Sequence, residues 1–133
     1  MIVLDTHALI WWVNGDDRLS KPAFKAINNE INKDDGLIFV SSITTWEIAL
    51  LVEKGRLSLT MDTDDWIRTV SAIEKVEFVA VDNDTFIQSV RLPGDFHPDP
   101  ADRIITALAR QYSIPLITSD RKIIKYKHVK TIW

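Results

Sequence analysis

The opening stretch MIVLDTHALIWWVNG, residues 1–15, contains one complete strand-to-helix unit and indicates the fold of the whole chain. Its apolar run Ile2–Leu4 is short and ends at Asp5. Such a run predicts a fully buried strand, because strands covered on both faces of a sheet are continuously apolar. Residues 8–13 are apolar again and predict a helix that ends at Asn14-Gly15. An aspartate therefore stands directly after the first predicted strand.

The same alternation of strand and helix continues to the end of the chain. Further strands are predicted at residues 37–40, 78–81, 115–118 and 129–133. Helices are predicted over residues 20–31, from 42 to the pair Lys54-Gly55, over 62–75, over 83–92 and from 99 onward, with a short turn or helix after residue 120. In the first of these, the expected apolar stripe is Ala23, Phe24, Ile27 and Ile31. Alternating strands and helices predict right-handed crossovers and a mainly parallel sheet with helices on both faces. The expected fold is a single-domain α/β/α sandwich that spans residues 1–133.

Composition narrows the classes of function. The chain has no cysteine, which excludes disulfides, thiolate metal sites and cysteine nucleophiles. Its net charge of −3 argues against a protein that binds nucleic acid mainly by neutralising phosphates. An enzyme acting on nucleic acid remains compatible, because bound metal ions supply positive charge locally. No apolar run is long enough to cross a bilayer and no basic region precedes the first strand, so we expect a cytoplasmic protein without a membrane partner.

Acidic residues stand where strands end or where helices begin. Asp5 follows the first strand and Asp120 follows the strand at 115–118, while Glu47 lies in the first turns of the helix after the second strand. Asp99 and Asp102 stand at the start of another helix. Ligands of parallel α/β sheets bind at the carboxyl ends of the strands, so we expect these acids to converge there. Converging carboxylates repel one another, and a hard divalent cation such as Mg²⁺ or Mn²⁺ relieves that repulsion.

Each acid also has an ordinary structural interpretation. Aspartate is a favoured N-cap, which applies to Asp5 and most strongly to Asp99, since a proline follows it. Glu47 has the spacing of a capping box with the threonine three residues before it. Asp102 fits the helix dipole and Asp120 fits a turn. The joint placement of the acids is therefore more specific than any one of them.

Several segments together resemble a known family. The segments are IVLDTHALIWW, VSSITTWEIALLVEKGRLSL, LPGDFHPDPADRIITALAR, PLITSD and the terminal TIW. In this order they resemble PIN-domain nucleases, specifically the VapC-type toxins of type II bacterial toxin–antitoxin pairs. The resemblance covers almost the whole chain, and the set of segments is specific where a single one would not be.

The resemblance implies an Mg²⁺- or Mn²⁺-dependent endoribonuclease that hydrolyses RNA phosphodiester bonds with metal-activated water. It also implies a homodimer and a cognate antitoxin protein that blocks the site. Carried over position by position, it assigns the catalytic and metal-binding roles to Asp5, Glu47, Asp102 and Asp120, and a supporting role to Thr118. Asp99 stays open between metal ligand and helix cap. Many relatives have asparagine where this chain has His7, which we expect to be a structural residue rather than a ligand.

Basic and aromatic residues suggest further contacts. The densest positive segment follows the last acid and contains Arg121, Lys122, Lys125, Lys127, His128 and Lys130. Arg121 and Lys122, together with Arg103 and Arg110 on the helix of Asp102, are candidates for binding RNA phosphates, although a solvated face is an equally good interpretation. For Trp11, Trp12 and Trp46 the first expectation is core packing, and the alternative is a dimer or antitoxin surface.

Two other functions are compatible with the acids. Phosphohydrolases of the haloacid-dehalogenase type also place an aspartate after the first strand. They need a second aspartate two residues later, and here Thr6 and His7 follow Asp5. The other alternative is a catalytically inactive module that only binds RNA or a partner, although all four expected acids are present.

Overall fold

The computed structural model describes residues Met1–Trp133. Its sheet contains five strands: β1 (Ile2–Leu4), β2 (Ile38–Ser41), β3 (Val76–Val79), β4 (Leu116–Ile117) and β5 (Thr131–Ile132). Seven helices connect them: α1 (Thr6–Asn14), α2 (Lys21–Asn32), α3 (Ser42–Glu53), α4 (Thr63–Ser71), α5 (Asn83–Val90), α6 (Pro100–Tyr112) and α7 (Arg121–Ile124). All neighbouring strands are parallel, in the order β3-β2-β1-β4-β5. None of the helices combines the length and the apolar character needed to span a membrane.

The sheet is covered on both faces, as the continuously apolar strands predicted. Within β1, Ile2 and Leu4 contact the core formed with α1, α2, α3 and α4, while Val3 points to the opposite face. On that face Val3 packs against α6 and α7, which contribute Ile105 and Ile123. Successive side chains of a strand alternate between faces, so both faces need apolar residues. The predicted α/β/α sandwich is confirmed.

The order of the strands reverses at β1. The chain runs outward from β1 through β2 to β3, then returns across the sheet to β4 and β5. The carboxyl ends of β1 and β4 are therefore adjacent, with Leu4 in register with Ile117. A crevice forms at such a point because the crossover helices on either side lie on opposite faces of the sheet. The side chains of the acids that follow these two strands line this crevice.

The largest departure from the predicted element boundaries lies between α4 and β3. Helix α4 ends at Ser71 rather than at 75, and β3 occupies residues 76–79 rather than 78–81. Lys75 adopts the left-handed conformation with φ 75°, which ends the turn, and its carbonyl accepts from the Ile38 amide at 2.8 Å. Pairing with β2 thus begins at Val76. Since β3 is an edge strand, its register follows its partner and not the local apolar run.

The buried face of α2 differs from the predicted apolar stripe. Phe24 is 54% exposed, whereas Glu30 is buried beside Ala23 and Ile27. The Glu30 carboxylate is satisfied by the N-terminal ammonium at 2.9 Å, the Lys33 ammonium at 3.2 Å and the Leu37 amide at 3.1 Å. A buried acid is tolerated when it is paired and hydrogen-bonded in this way. Glu30 therefore fastens α2 to the chain start and to the approach to β2.

Candidate metal centre

Four elements bring acids to the crevice at the ends of β1 and β4. Asp5 follows β1 and caps α1 by accepting from the Ala8 amide at 2.9 Å. Glu47 projects from the second turn of α3, Asp102 from the first turn of α6, and Asp120 caps α7. Together with neighbouring side chains they line an acidic cleft of about 210 Å³. The lining residues are Asp5, Thr6, His7, Glu47, Asp99, Asp102, Ser119 and Asp120.

Burial and mutual repulsion raise the pKa of three of these acids. Burial raises the pKa of Asp5 to about 6, with smaller contributions from Asp102 and Asp120, and the Thr118 hydroxyl and the Ala8 amide partly offset the shift. Burial is also the largest cause of the raised pKa values of Glu47 and Asp102. No lysine or arginine lines the cleft. Ionising all of these acids is therefore costly without an added cation.

Hydroxyls and an imidazole orient the carboxylates. The Thr6 hydroxyl donates to Glu47, and the hydroxyls of Thr6 and Thr44 lie 3.1 Å apart. The Thr118 hydroxyl, which is fully buried, accepts from the Asp120 amide at 3.0 Å. Such partners fix the direction in which carboxylate oxygens point, as they do around metal ions in proteins. The supporting role of Thr118 stays a prediction.

His97 is a residue of the site that the sequence interpretation missed. Its Nε2 lies 2.7 Å from Asp102 Oδ2, and its ring stacks on Phe96 with centroids 4.5 Å apart. The ligand atoms of His97, Asp102 and Asp120 lie within 4.8 Å of one another, a spacing that suits one metal ion. The available signal was the position of His97 in the loop directly before the first turn of α6. A loop entering a helix returns close to the acids of that turn.

The ordinary structural interpretations of the acids have different outcomes. Three aspartates do act as caps: Asp5, Asp99, which accepts from the Asp102 amide at 3.0 Å, and Asp120. Each accepts its capping bond through Oδ1 while also lining the cleft. The capping box of Thr44 and Glu47 is absent, because Ser41 caps α3 one turn earlier. Glu47 is thus directed into the cleft by Thr6 and not by the helix start.

The basic residues divide into two groups. Arg103 donates to the carbonyls of Ser89, Phe96, His97 and Val90 at 2.8–3.4 Å, so its guanidinium holds the loop before α6. Arg110 donates to the His128 carbonyl. These contacts favour structural roles for both arginines over the expected contacts with RNA. Arg121 and Lys122 are exposed directly beside Asp120, and the Lys122 amide donates to Asp120 Oδ1 at 2.8 Å.

The aromatic and histidine residues that the sequence places near the cleft have different environments. Trp46 is 56% exposed, one residue before Glu47, so core packing is wrong for it. His7 is exposed at the rim of the cleft with its ring 5.6 Å from that of Trp11, and is not among the clustered ligand atoms. Trp11 and Trp12 are half-buried and pack against the core, as expected, and the Trp11 ring also lies 5.7 Å from that of Trp133 between centroids. Of these residues, only His7 lines the acidic cleft.

The donor set fits a hard divalent cation. The cleft offers carboxylate oxygens from four elements and no thiolates. Of these acids, Asp102 and Asp120 lie together with the His97 imidazole close enough to bind one ion. Oxygen-rich sets of this kind suit Mg²⁺ or Mn²⁺. A cation would also remove the repulsion that raises the pKa values of these acids. The geometry therefore supports a metal centre at the switch point of the sheet.

Comparison with known proteins finds matches over nearly the whole chain. The family model of the PIN domain matches residues 2–129. Ribonuclease VapC22 of Mycobacterium tuberculosis (strain ATCC 25618 / H37Rv) is 32% identical over 134 residues, covering 99% of this chain and 98% of that protein.

Two solved structures are similar in fold. A toxin–antitoxin complex from Klebsiella pneumoniae has a TM-score of 0.65 at 22% identity, covering 97% of this chain and 95% of that one. VapBC2 from Rickettsia felis, solved bound to a DNA fragment from its promoter, has a TM-score of 0.67 at 14% identity, covering 98% and 97%.

Proposed function

The chain belongs to the PIN domain family, and from that premise we propose that it is a metal-dependent endoribonuclease and the toxin of a type II toxin–antitoxin pair. One observation carries the proposal: carboxylates from four elements converge in a cleft that contains no lysine or arginine. The relative from Mycobacterium tuberculosis is named a ribonuclease, and it matches this chain over nearly its full length. The proposed enzyme occupies residues 1–133 as one domain.

Asp5, Glu47, Asp102 and Asp120 would hold Mg²⁺ or Mn²⁺, and His97 adjoins Asp102 and Asp120. When bound, the metal would activate water for attack on a phosphodiester and neutralise charge on the phosphate oxygens. Asp99 would serve as the cap of α6, since its Oδ1 accepts from the Asp102 amide. We therefore propose the cap as its main role, and because its second carboxylate oxygen is not used by the cap, a metal-binding role for Asp99 is left to experiment.

The residues around the acids would keep them in one geometry. Thr6 orients Glu47 through a hydrogen bond, and His97 orients Asp102 at 2.7 Å. Thr118 joins the segments of Asp5 and Asp120, since it contacts both. Prior orientation of this kind spares the site a rearrangement when charge develops on the substrate.

The proposed partners follow from the family and from one surface feature. A cognate antitoxin would cover the cleft, and Trp46 is exposed beside Glu47, where a partner could bury it. The structural neighbours include toxin–antitoxin complexes, which agrees with such a partner. A homodimer in the cytoplasm completes the proposal, because RNA and ribosomes are found there.

Two alternatives are less well supported. A phosphohydrolase of the haloacid-dehalogenase type would need an acid at residue 7, and that position is an exposed histidine. An inactive binding module would not need four buried or half-buried acids, three of which have raised pKa values. If the unmodified chain bound metal but cleaved no RNA, the inactive module would be favoured.

The test uses the purified chain, free of any antitoxin, and a mixed RNA pool with Mg²⁺ or Mn²⁺. Asp102→Asn removes an acid of the cleft, and Asp84→Asn is the matched control, because Asp84 occupies the first turn of α5 outside the cleft. We expect cleavage by the unmodified chain and by the Asp84→Asn variant, and none by the Asp102→Asn variant or in EDTA. Equal cleavage by both variants, or cleavage in EDTA, would overturn the proposal.

A further inference from the structure

A second and larger depression opens beside the acidic cleft. This basic groove, of about 780 Å³, lies between the loop at residues 94–97 and the segment at residues 122–128. Its size is in the range of pockets that hold ligands as large as a nucleotide. Neither the metal centre nor the family match assigns it a role.

The charge of the groove is opposite to that of the chain. Lys122, Lys125 and Lys127 line it against one acid, Asp95, although acids outnumber lysine and arginine 19 to 16 in the whole sequence. The three lysines are exposed, and none takes part in an ion pair. Unpaired ammonium groups converging on one depression are suited to the phosphates of a nucleic acid backbone.

The floor of the groove is aromatic and held in place. Phe96 contacts Tyr126 edge to face with centroids 4.9 Å apart, and Tyr126 contacts His128 at 5.3 Å. The Tyr126 hydroxyl donates to the Pro93 carbonyl, which fixes this ring to the loop before α6. The Phe96 ring is stacked by His97 and lies beneath the Arg103 guanidinium, and Tyr126 is buried, so the exposed His128 ring offers the surface on which a base of a single strand can stack.

The groove is continuous with the acidic cleft at two points. His97 lines the groove and hydrogen-bonds Asp102, and Lys122 lines the groove while its amide donates to Asp120. A strand lying along the groove would therefore pass directly to the acids. We propose that the basic groove binds the single-stranded RNA segment adjoining the scissile phosphate, with the lysines on phosphates and a base against the His128 ring. This inference rests on the proposed ribonuclease function and names its substrate class and the site that binds it.

The test measures RNA binding without cleavage. Fluorescence anisotropy in EDTA follows a labelled single strand of about a dozen nucleotides at several salt concentrations. The groove variant carries Lys122→Gln, Lys125→Gln and Lys127→Gln. The matched control carries Lys21→Gln, Lys25→Gln and Lys54→Gln, which change the same charge at exposed lysines outside the groove.

We expect the groove variant to bind at least about tenfold more weakly at low salt, with the slope of log affinity against log salt reduced by about 2, or about 0.7 per lost phosphate contact. The control should keep both quantities. His128→Ala should weaken binding of the single strand about fivefold or more but leave duplex RNA unaffected, because duplex bases stay stacked. Equal effects in the groove variant and the control, or a His128→Ala variant that binds the single strand normally, would overturn the inference.

The outcomes separate the groove from the metal centre. If the groove variant binds RNA normally while Asp102→Asn abolishes cleavage, the groove assignment fails and the ribonuclease stands. If the groove behaves as expected but no metal-dependent cleavage occurs, the binding assignment stands and the ribonuclease fails. If the groove variant keeps its affinity for RNA but no longer binds an acidic protein partner, the groove is the site of that partner, and the inference is overturned.

Discussion

Single residues in the acidic cleft combine two tasks that the sequence presents separately. Asp5 and Asp120 cap helices through Oδ1 and line the cleft at the same time. An N-cap aspartate can do both, because its carboxylate has a second oxygen. A strong local explanation for an acid therefore does not exclude a functional role, and the convergence of several acids is the better guide.

His97 provides the first prediction at this scale. His97→Ala should weaken Mg²⁺ or Mn²⁺ binding by about 10- to 100-fold, since residues that orient metal-binding carboxylates have effects of this size. Asn at this position keeps a hydrogen-bond donor and should recover part of the affinity. Isothermal titration calorimetry measures both variants. His128→Ala is the control, because His128 contacts no acid of the cleft, and equal affinities of the His97→Ala and His128→Ala variants would contradict the role.

At the scale of elements, helix α6 depends on its cap. Asp99→Ala should lower the free energy of unfolding by about 1 kcal/mol, the usual cost of losing an N-cap. Asp99→Ser keeps a capping oxygen and should preserve stability. Urea unfolding gives the stabilities, and metal titration of the Ser variant tests the assignment of Asp99 as a cap. A large loss of metal affinity in the stable Ser variant would show that Asp99 is a ligand.

Strand β2 depends on a glycine that precedes it. A Cβ on Gly36 would lie 1.8 Å from the carbonyl oxygen of Glu30, which rigid backbone on both sides does not allow. Gly36→Ala should therefore destabilise the protein by at least about 2 kcal/mol. Gly55→Ala is the comparison, since a Cβ there meets nothing within 4 Å and its cost is limited to left-handed strain of about 1 kcal/mol. Thermal or urea unfolding measures the loss of stability in both variants. A smaller loss for Gly36→Ala than for Gly55→Ala would contradict the close approach of residue 36 to the Glu30 carbonyl.

On the scale of the whole molecule, the acidic cleft makes the metal-free fold less stable at neutral pH than at acidic pH. Burial raises the pKa of Asp5 to about 6 from 3.8, so the folded state holds this proton more tightly than the unfolded state. The resulting stabilisation is complete below pH 3.8 and is lost as the pH rises through about 6. Cation binding opposes this loss by favouring the ionised carboxylates.

The corresponding prediction compares the unmodified chain with Asp5→Asn in EDTA. Between pH 4 and pH 7, the free energy of unfolding of the unmodified chain should fall by up to about 3 kcal/mol relative to that of the Asn variant, because Asn cannot ionise. Added Mg²⁺ should stabilise the unmodified chain more at pH 7.5 than at pH 5. Urea unfolding across this pH range measures both effects. A difference that does not change with pH would mean that Asp5 ionises at its ordinary pKa.

The sequence by itself determined the α/β class, the caps at Asp5 and Asp99, and the positions of Asp5, Glu47, Asp102 and Asp120 after strands or near the starts of helices. These depend on local patterns, since apolar runs and capping residues act within a few positions of the chain.

Only the tertiary structure decided the register of β3, the burial of Glu30, the exposure of Trp46 and the place of His97 beside Asp102. It also brought the loop at 94–97 against the segment at 122–128 to form the basic groove. Such features depend on which distant segments meet when the sheet closes at β1 and β4. No local pattern records these contacts, because their partners are separated by tens of residues in the chain.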